Sequence, residues 1–208
     1  MGRDYLHLGV ASRPFFVAAE RLPKTRSIVY TVTRQINLAL ATFLPRKPIP
    51  GFAITDTSVT TTRVRPGDLD IYFHVNNAVY LNMMDTARSN FLADCDGLKR
   101  LNKLGWYPVV AASSIIYRAS LLLGQKVEIR TRLIGWDPRI AYIEQNIYSN
   151  GKLVTEAIVA GRFLKRGGGK VPATDVVQAL SGPDESPELP AHVLQWAQAT
   201  GMAWNPKQ

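Results

Sequence analysis

Hydrophobic positions recur at helical spacing early in the chain, where residues 27 to 44, SIVYTVTRQINLALATFL, place Val29, Val32, Ile36, Ala39, Leu40 and Phe43 on one face. Arg34, Gln35 and Asn37 interrupt this helix too strongly for it to span a membrane. Pro45, Pro48 and Pro50 with Gly51 then mark a linker and a domain boundary. Thr57 to Arg65, rich in Thr and Val, predicts a strand that stops at Pro66-Gly67. A helix is expected from Asn77 to Cys95, with Tyr80, Met84, Ala87, Phe91 and Cys95 on one face and Leu81, Met83 and Leu92 widening it. So broad an apolar surface predicts a buried helix.

After a short amphipathic turn at Leu98 to Leu104, four runs predict long strands: Pro108 to Arg118, Lys126 to Trp136, Arg139 to Ser149 and Lys152 to Lys165. Asn150-Gly151 is a hairpin signal, because both residues tolerate the left-handed backbone of a tight turn. Val127, Ile129, Thr131 and Leu133 alternate with Glu128, Arg130 and Arg132, the pattern of a sheet with one wet face. Ser181 to Pro190 predicts a connection, and Ala191 to Ala199 a last short helix. The expected division is a basic segment over 1–50, a main domain over 51–180 that folds by itself from Gly51 onward, and a linker with C-terminal helix over 181–208. Gly167-Gly168-Gly169-Lys170 lacks the spacing of a phosphate-binding loop and is expected as a plain turn.

Charge narrows the choice of partners. The formal net charge is +9, but residues 1 to 50 hold eight basic and two acidic side chains, leaving only +3 for the other 158 residues. That main body carries no field suited to nucleic acid. The basic residues Lys24, Arg26, Arg46 and Lys47 flank the first helix, which suits either an interfacial helix on anionic lipid or a helix docked on the protein's own body. A single cysteine, Cys95, excludes an intrachain disulfide and a cysteine-rich zinc site, so a reducing, cytoplasmic location is expected, with membrane association left open. Asp4, His7, Arg13 and Glu20 interrupt any secretory signal at the N-terminus.

The chemistry-bearing stretch is RPGDLDIYFHVNNAVYLNMMDTARSNF, Arg65 to Phe91, which gathers Asp68, Asp70, His74, Asn76 and Asn77 in a strand-to-helix connection. Asp68-Leu69-Asp70, His74-Val75-Asn76-Asn77, Tyr80 and Asp85-Thr86-Ala87-Arg88 resemble the pattern of hotdog-fold thioesterases of the 4-hydroxybenzoyl-CoA thioesterase type. Ile129-Arg130-Thr131-Arg132-Leu133 with Gly135-Trp136-Asp137 further resembles the thioesterase superfamily member six subgroup.

The resemblance implies an α+β hotdog fold, an antiparallel sheet wrapped around a long central helix, in a homodimer whose sites span the interface. It implies hydrolysis of an acyl-CoA or acyl-carrier-protein thioester without metal or cofactor. By motif, the carboxylate that acts as nucleophile or general base falls on Asp70, and the backbone amide that polarises the thioester carbonyl falls on Asn77. A helix N-terminus suits that second task, since its unpaired N–H groups and dipole can hold an oxyanion without a charged side chain.

His74 reads equally as a general acid or base and as a hydrogen-bonding turn residue; an Asn found two residues earlier in related plant enzymes is Tyr72 here. Asn76 is expected as a helix N-cap, Asp68 as a cap or turn residue, and Asp85 with Arg88 as a helix pair. Tyr80, Met83 and Met84 are expected to line the acyl pocket, and Arg166, with Arg118 and Lys170, to meet the CoA phosphates. A non-catalytic, acyl-binding or membrane-associated hotdog protein remains the alternative. A hotdog hydratase would need an Asn-Pro that Ile71-Tyr72-Phe73 does not supply.

Overall fold

The structure is a computed structural model that describes residues 24–203, with side chains from Arg34 onward. Val29 and Val32 of the anticipated N-terminal stripe therefore lie outside the described side chains.

Helix α1 (Lys24–Phe43) leads into strand β1 (Ser58–Arg63), a single 3-10 turn at Pro66–Asp68, and helix α2 (Asn77–Asp94). Helix α3 (Gly97–Lys103) then precedes β2 (Trp106–Tyr117), β3 (Lys126–Trp136), β4 (Ala141–Ser149) and β5 (Lys152–Lys165). A short β6 (Lys170–Val171) and helices α4 (Ala173–Ala179) and α5 (Ala191–Ala199) follow. The sheet order is β1-β3-β4-β5-β2, antiparallel throughout, with β6 beside β5. This sheet packs around α2 in the hotdog arrangement.

Two inner clusters account for that packing. Tyr80, Met83, Met84 and Ala87 of α2 meet Val127, Ile129 and Ile147 of the sheet, and farther along Phe91 and Leu92 meet Leu133, Phe163 and the α4 residues Val176 and Val177. The alternation read in β3 holds: Val127, Ile129 and Thr131 are buried while Arg130 and Arg132 are exposed. Leu81, expected to widen the buried face of α2, is exposed instead. Asn150 and Gly151 both adopt positive φ, 50° and 74°, the backbone a tight hairpin turn requires.

The C-terminal segment is more than a tail. Val193 and Ala197 of α5 cover Ile134, Ile140 and Tyr142 on the outer face of the sheet. The incoming strand of chain passes so close to β3 that a Cβ on Gly135 would lie 2.7 Å from Leu189 and 3.1 Å from the Pro187 carbonyl. A side chain at this position would have to displace Leu189 and crowd the Pro187 carbonyl.

Helix α1 runs alongside α2 in the same direction. Arg34 binds Asp68 just before α2, while Arg46 beyond α1 binds the buried Asp94 in the last turn of α2. Residues 45–51, expected as a linker, are tied down as well, by an Ile49 N–H to Asp94 carbonyl bond of 3.0 Å. The anticipated boundary at residue 50 is therefore crossed by two ion pairs whose carboxylates are both buried.

Candidate active site

The site begins with a small closed loop. Leu69 and Val75 form an isolated antiparallel bridge, and inside it the Asp70 N–H donates to the His74 carbonyl at 2.8 Å while the Phe73 N–H donates to the Asp70 carbonyl at 3.1 Å. Asp70 Oδ1 accepts from the backbone N–H of Tyr72 at 2.8 Å and of His74 at 3.4 Å. One carboxylate oxygen thus holds the loop, and Oδ2 makes no hydrogen bond among the described residues. Phe73 sits at φ 61°, a left-handed conformation that costs a side-chain-bearing residue roughly 1–2 kcal/mol. The tip residues Ile71, Tyr72 and Phe73 all stand exposed.

Asn76 is the N-cap of α2, as its spacing implied: its backbone is extended (φ −60°, ψ 138°) and its side chain accepts from the Ala78 N–H at 2.9 Å. Its own N–H donates to the Asp68 carbonyl at 2.9 Å. Asn77 is the first helical residue, and its N–H donates no hydrogen bond among the described residues. The Tyr117 hydroxyl donates to the Asn77 carbonyl at 3.4 Å, and Tyr117 stacks edge-on against Tyr80 with ring centres 5.2 Å apart. Tyr80 is itself pinned, its hydroxyl accepting from the Leu121 N–H at 3.1 Å. Burial raises both phenol pKa values, so each ring presents a neutral hydroxyl at physiological pH.

Asp70, His74, Asn77, Tyr80, Tyr117 and Arg118 line one open concavity of about 560 Å³. Five anticipated residues, Asp70, His74, Asn77, Tyr80 and Arg118, therefore converge there. Met83 and Met84 do not: both are core side chains packed against the sheet, Met84 with no exposed surface at all. Arg166 does not either. It donates to Asn102 Oδ1 at 2.6 Å, beside the Trp106 end of the twelve-residue β2, about 35 Å of strand away from Tyr117.

A second hollow, of about 430 Å³ and largely apolar, opens at the other end of α2 between Phe91, Leu92, Val109, Ile143, Val159 and Phe163. Asp85 and Arg88 stand on its wall. Their expected helix pair is present, and Arg88 also donates to Gln145 Oε1 at 2.5 Å. Gln145, wholly buried, donates in turn to Thr131 Oγ1 at 3.0 Å and to the Met84 carbonyl at 3.1 Å. Burial pulls the Arg88 pKa down to about 10, so the guanidinium remains charged at neutral pH. Cys95 is an inert core thiol, pushed up to about 11 by burial first and by the neighbouring Asp94 charge in lesser part.

Asp68 proves to be a hub. It accepts from the Arg65 N–H at 2.7 Å and from two nitrogens of Arg34. Arg34 and Tyr117 were missed by sequence reasoning. Arg34 counted only as one of three residues that rule out a membrane-spanning helix, and its position on the face opposite the apolar stripe gave no partner.

The sequence profile described as the thioesterase-like superfamily matches residues 64–197. Protein THEM6 of Xenopus laevis is 35% identical over 133 residues, a stretch that covers 64% of this chain and 63% of that protein's length. A long-chain acyl-CoA thioesterase of Escherichia coli, FadM, is 28% identical over 102 residues, 48% of this chain and 77% of its own. The crystal structure of a Thermus thermophilus hypothetical protein superposes with a TM-score of 0.54 at 27% identity, covering 60% of this chain and 97% of that one.

Proposed function

The chain belongs to the thioesterase-like superfamily, and on that premise we propose that it hydrolyses acyl-CoA thioesters at the concavity between Asp70 and Asn77. The observation that carries this reading is that Asp70, whose Oδ2 is unengaged among the described residues, and Asn77, whose N–H is unpaired among them, line the same hollow. A thioester carbonyl placed there would have its oxygen on the N–H, strengthened by the positive end of α2, with its carbon within reach of the carboxylate. Asp70 either draws a proton from a water that attacks that carbon, or attacks it directly to form a mixed anhydride that water then cleaves; in both routes the C–S bond breaks and the thiol leaves with a proton, so one water is divided between the acid and the thiol. His74, exposed on the rim, is the group placed to carry that proton.

The active unit in this proposal is a homodimer. β2 is a sheet edge whose outer side has no partner among the described residues, and Val110 and Ile116 along it are half exposed. Such an edge pairs readily with a second copy. Antiparallel pairing of two β2 strands would set the Tyr117 end of one beside the Trp106 end of the other. The Asp70 concavity of one protomer would then adjoin the apolar hollow of its partner, giving the acyl chain a lining that Met83 and Met84 do not provide. The same pairing brings Arg166 toward the CoA side of the partner's Asp70.

A long acyl chain is the substrate favoured by the apolar hollow and by the similarity to FadM, and CoA is favoured over acyl-carrier protein on that same similarity. The buried single thiol suits a reducing, cytoplasmic setting. Within the basic 1–50 segment, residues 34–50 are proposed to dock on the 51–180 body, and within 181–208 the described part to residue 203 is proposed as its outer strap. Release of free thiol from acyl-CoAs of graded chain length tests the reading. Tight acyl-CoA binding without thiol release would favour the non-catalytic alternative, for which the exposed Ile71-Tyr72-Phe73 tip speaks.

A further inference from the structure

Helix α1 is docked the wrong way round for a soluble protein. A surface helix ordinarily turns its apolar stripe to the core and its polar face to water. Here Arg34 points inward to Asp68, and Thr42 faces Ser89 across a 3.2 Å hydroxyl contact. The stripe read from the sequence faces out: Ile36 and Leu40 are 49% and 48% exposed, Phe43 is 81% and the adjoining Leu44 73%. Ile36, Leu40 and Phe43 follow one another at helical spacing, so they form a continuous ridge rather than scattered apolar residues.

Charge indicates what covers the ridge. From Arg21 to Thr55 the sequence holds six basic residues and no acidic one. Arg34 and Arg46 are spent on the buried carboxylates of Asp68 and Asp94. Lys24 and Arg26 belong to the first turn of the helix, and the exposed Lys47 lies just beyond its end. A second copy of the chain would bring this basic patch against itself across a two-fold axis, a like-charge contact. An anionic bilayer surface supplies both an apolar layer for Ile36, Leu40, Phe43 and Leu44 and negative headgroups for the flanking cations. No helix among the described residues is long and apolar enough to cross a membrane.

We propose that the outward face of α1 docks the protein peripherally on anionic lipid, with the helix lying in the interface. The two ion pairs make this an anchoring of the whole body rather than of a loose arm, because they fix α1 along both ends of α2. The proposal is independent of thioester hydrolysis.

Co-sedimentation of the full chain with vesicles of phosphatidylcholine containing phosphatidylglycerol, and with phosphatidylcholine alone, tests it. Binding at low salt should be at least tenfold tighter on the anionic vesicles and should fall away at high salt. Leu40→Asp with Phe43→Asp should weaken it at least tenfold while the melting curve stays close to that of the wild type, since both side chains are already exposed. Phe43→Ala with Leu44→Ala, a milder change, should weaken it several-fold. Binding indifferent to lipid charge, or unchanged in the Asp variant, overturns the proposal. So does a wild-type chain that leaves the vesicles in favour of higher oligomers which the Asp variant dissociates, a result that assigns the ridge to a second copy.

Discussion

Arg34 binds Asp68 through two guanidinium nitrogens, Nε at 2.9 Å to Oδ1 and Nη2 at 2.5 Å to Oδ2, with both side chains withdrawn from solvent. The pair stands two residues ahead of Asp70, and the Asp68 carbonyl also receives the N–H of the α2 cap Asn76. A helix some thirty residues upstream thereby fixes the loop that carries the proposed carboxylate and the start of the helix that carries the proposed oxyanion donor.

Removing one member of such a pair strands the other as a buried charge. Arg34→Ala should therefore lower stability by roughly 3–5 kcal/mol, whereas Arg130→Ala, at an exposed ion pair, should lower it far less. Urea unfolding of the two variants beside the wild type makes the comparison. Equal stabilities would mean that α1 is not docked through this pair.

The Asn77 amide can be deleted without disturbing the fold. Proline suits the first helical position, and Asn76 before it is already extended at ψ 138°. Asn77→Pro should fold, remain dimeric and bind acyl-CoA, yet turn over about 100- to 1,000-fold more slowly. Wild-type turnover in the folded variant would place the oxyanion donor elsewhere.

Cys95 gives a pH dependence with a defined sign. Its thiol is raised in the folded chain from an ordinary value of 9.0 to about 11, so above pH 9 the unfolded chain loses this proton first and stability falls as pH rises toward 11. The slope from this group approaches about 1.4 kcal/mol per pH unit within that window. Cys95→Ala should flatten that part of the stability curve, and an unchanged slope would show that the thiol is not buried in this way.

Pairing at the β2 edge is tested at Ile116, half exposed in the single chain. On a solvated surface Ile116→Lys is nearly neutral, but within a dimer seam it is not. Sedimentation velocity should find the wild type dimeric and this variant largely monomeric. A variant that remains as dimeric as the wild type would move the interface away from β2.

Much of the fold was legible because the sheet is wet on one side, so that Glu128, Arg130 and Arg132 mark every second residue of β3, and because Asn150-Gly151 admits few turns. The capping role of Asn76 was equally plain, since cap chemistry is local. The docking of α1 was not. Its buried Arg34 is satisfied by Asp68, far along the chain, so the periodicity alone left open which side of the helix meets the body. Met83 and Met84 failed as pocket residues for a related reason: periodicity says which side of α2 is apolar, but not that β3 and β4 already fill the space before it. Tyr117 carries no motif and meets Asn77 only once β2 is placed in the sheet.

The most direct test of the central claim is the turnover of Asp70→Asn on a long-chain acyl-CoA, followed by free thiol release. The amide oxygen of Asn can still accept from the Tyr72 and His74 N–H groups, so the loop should hold and the melting temperature should barely move, while the nucleophile or base is gone. Hydrolysis should fall to background in a folded, acyl-CoA-binding protein. Hydrolysis at the wild-type rate in that folded variant would contradict the account.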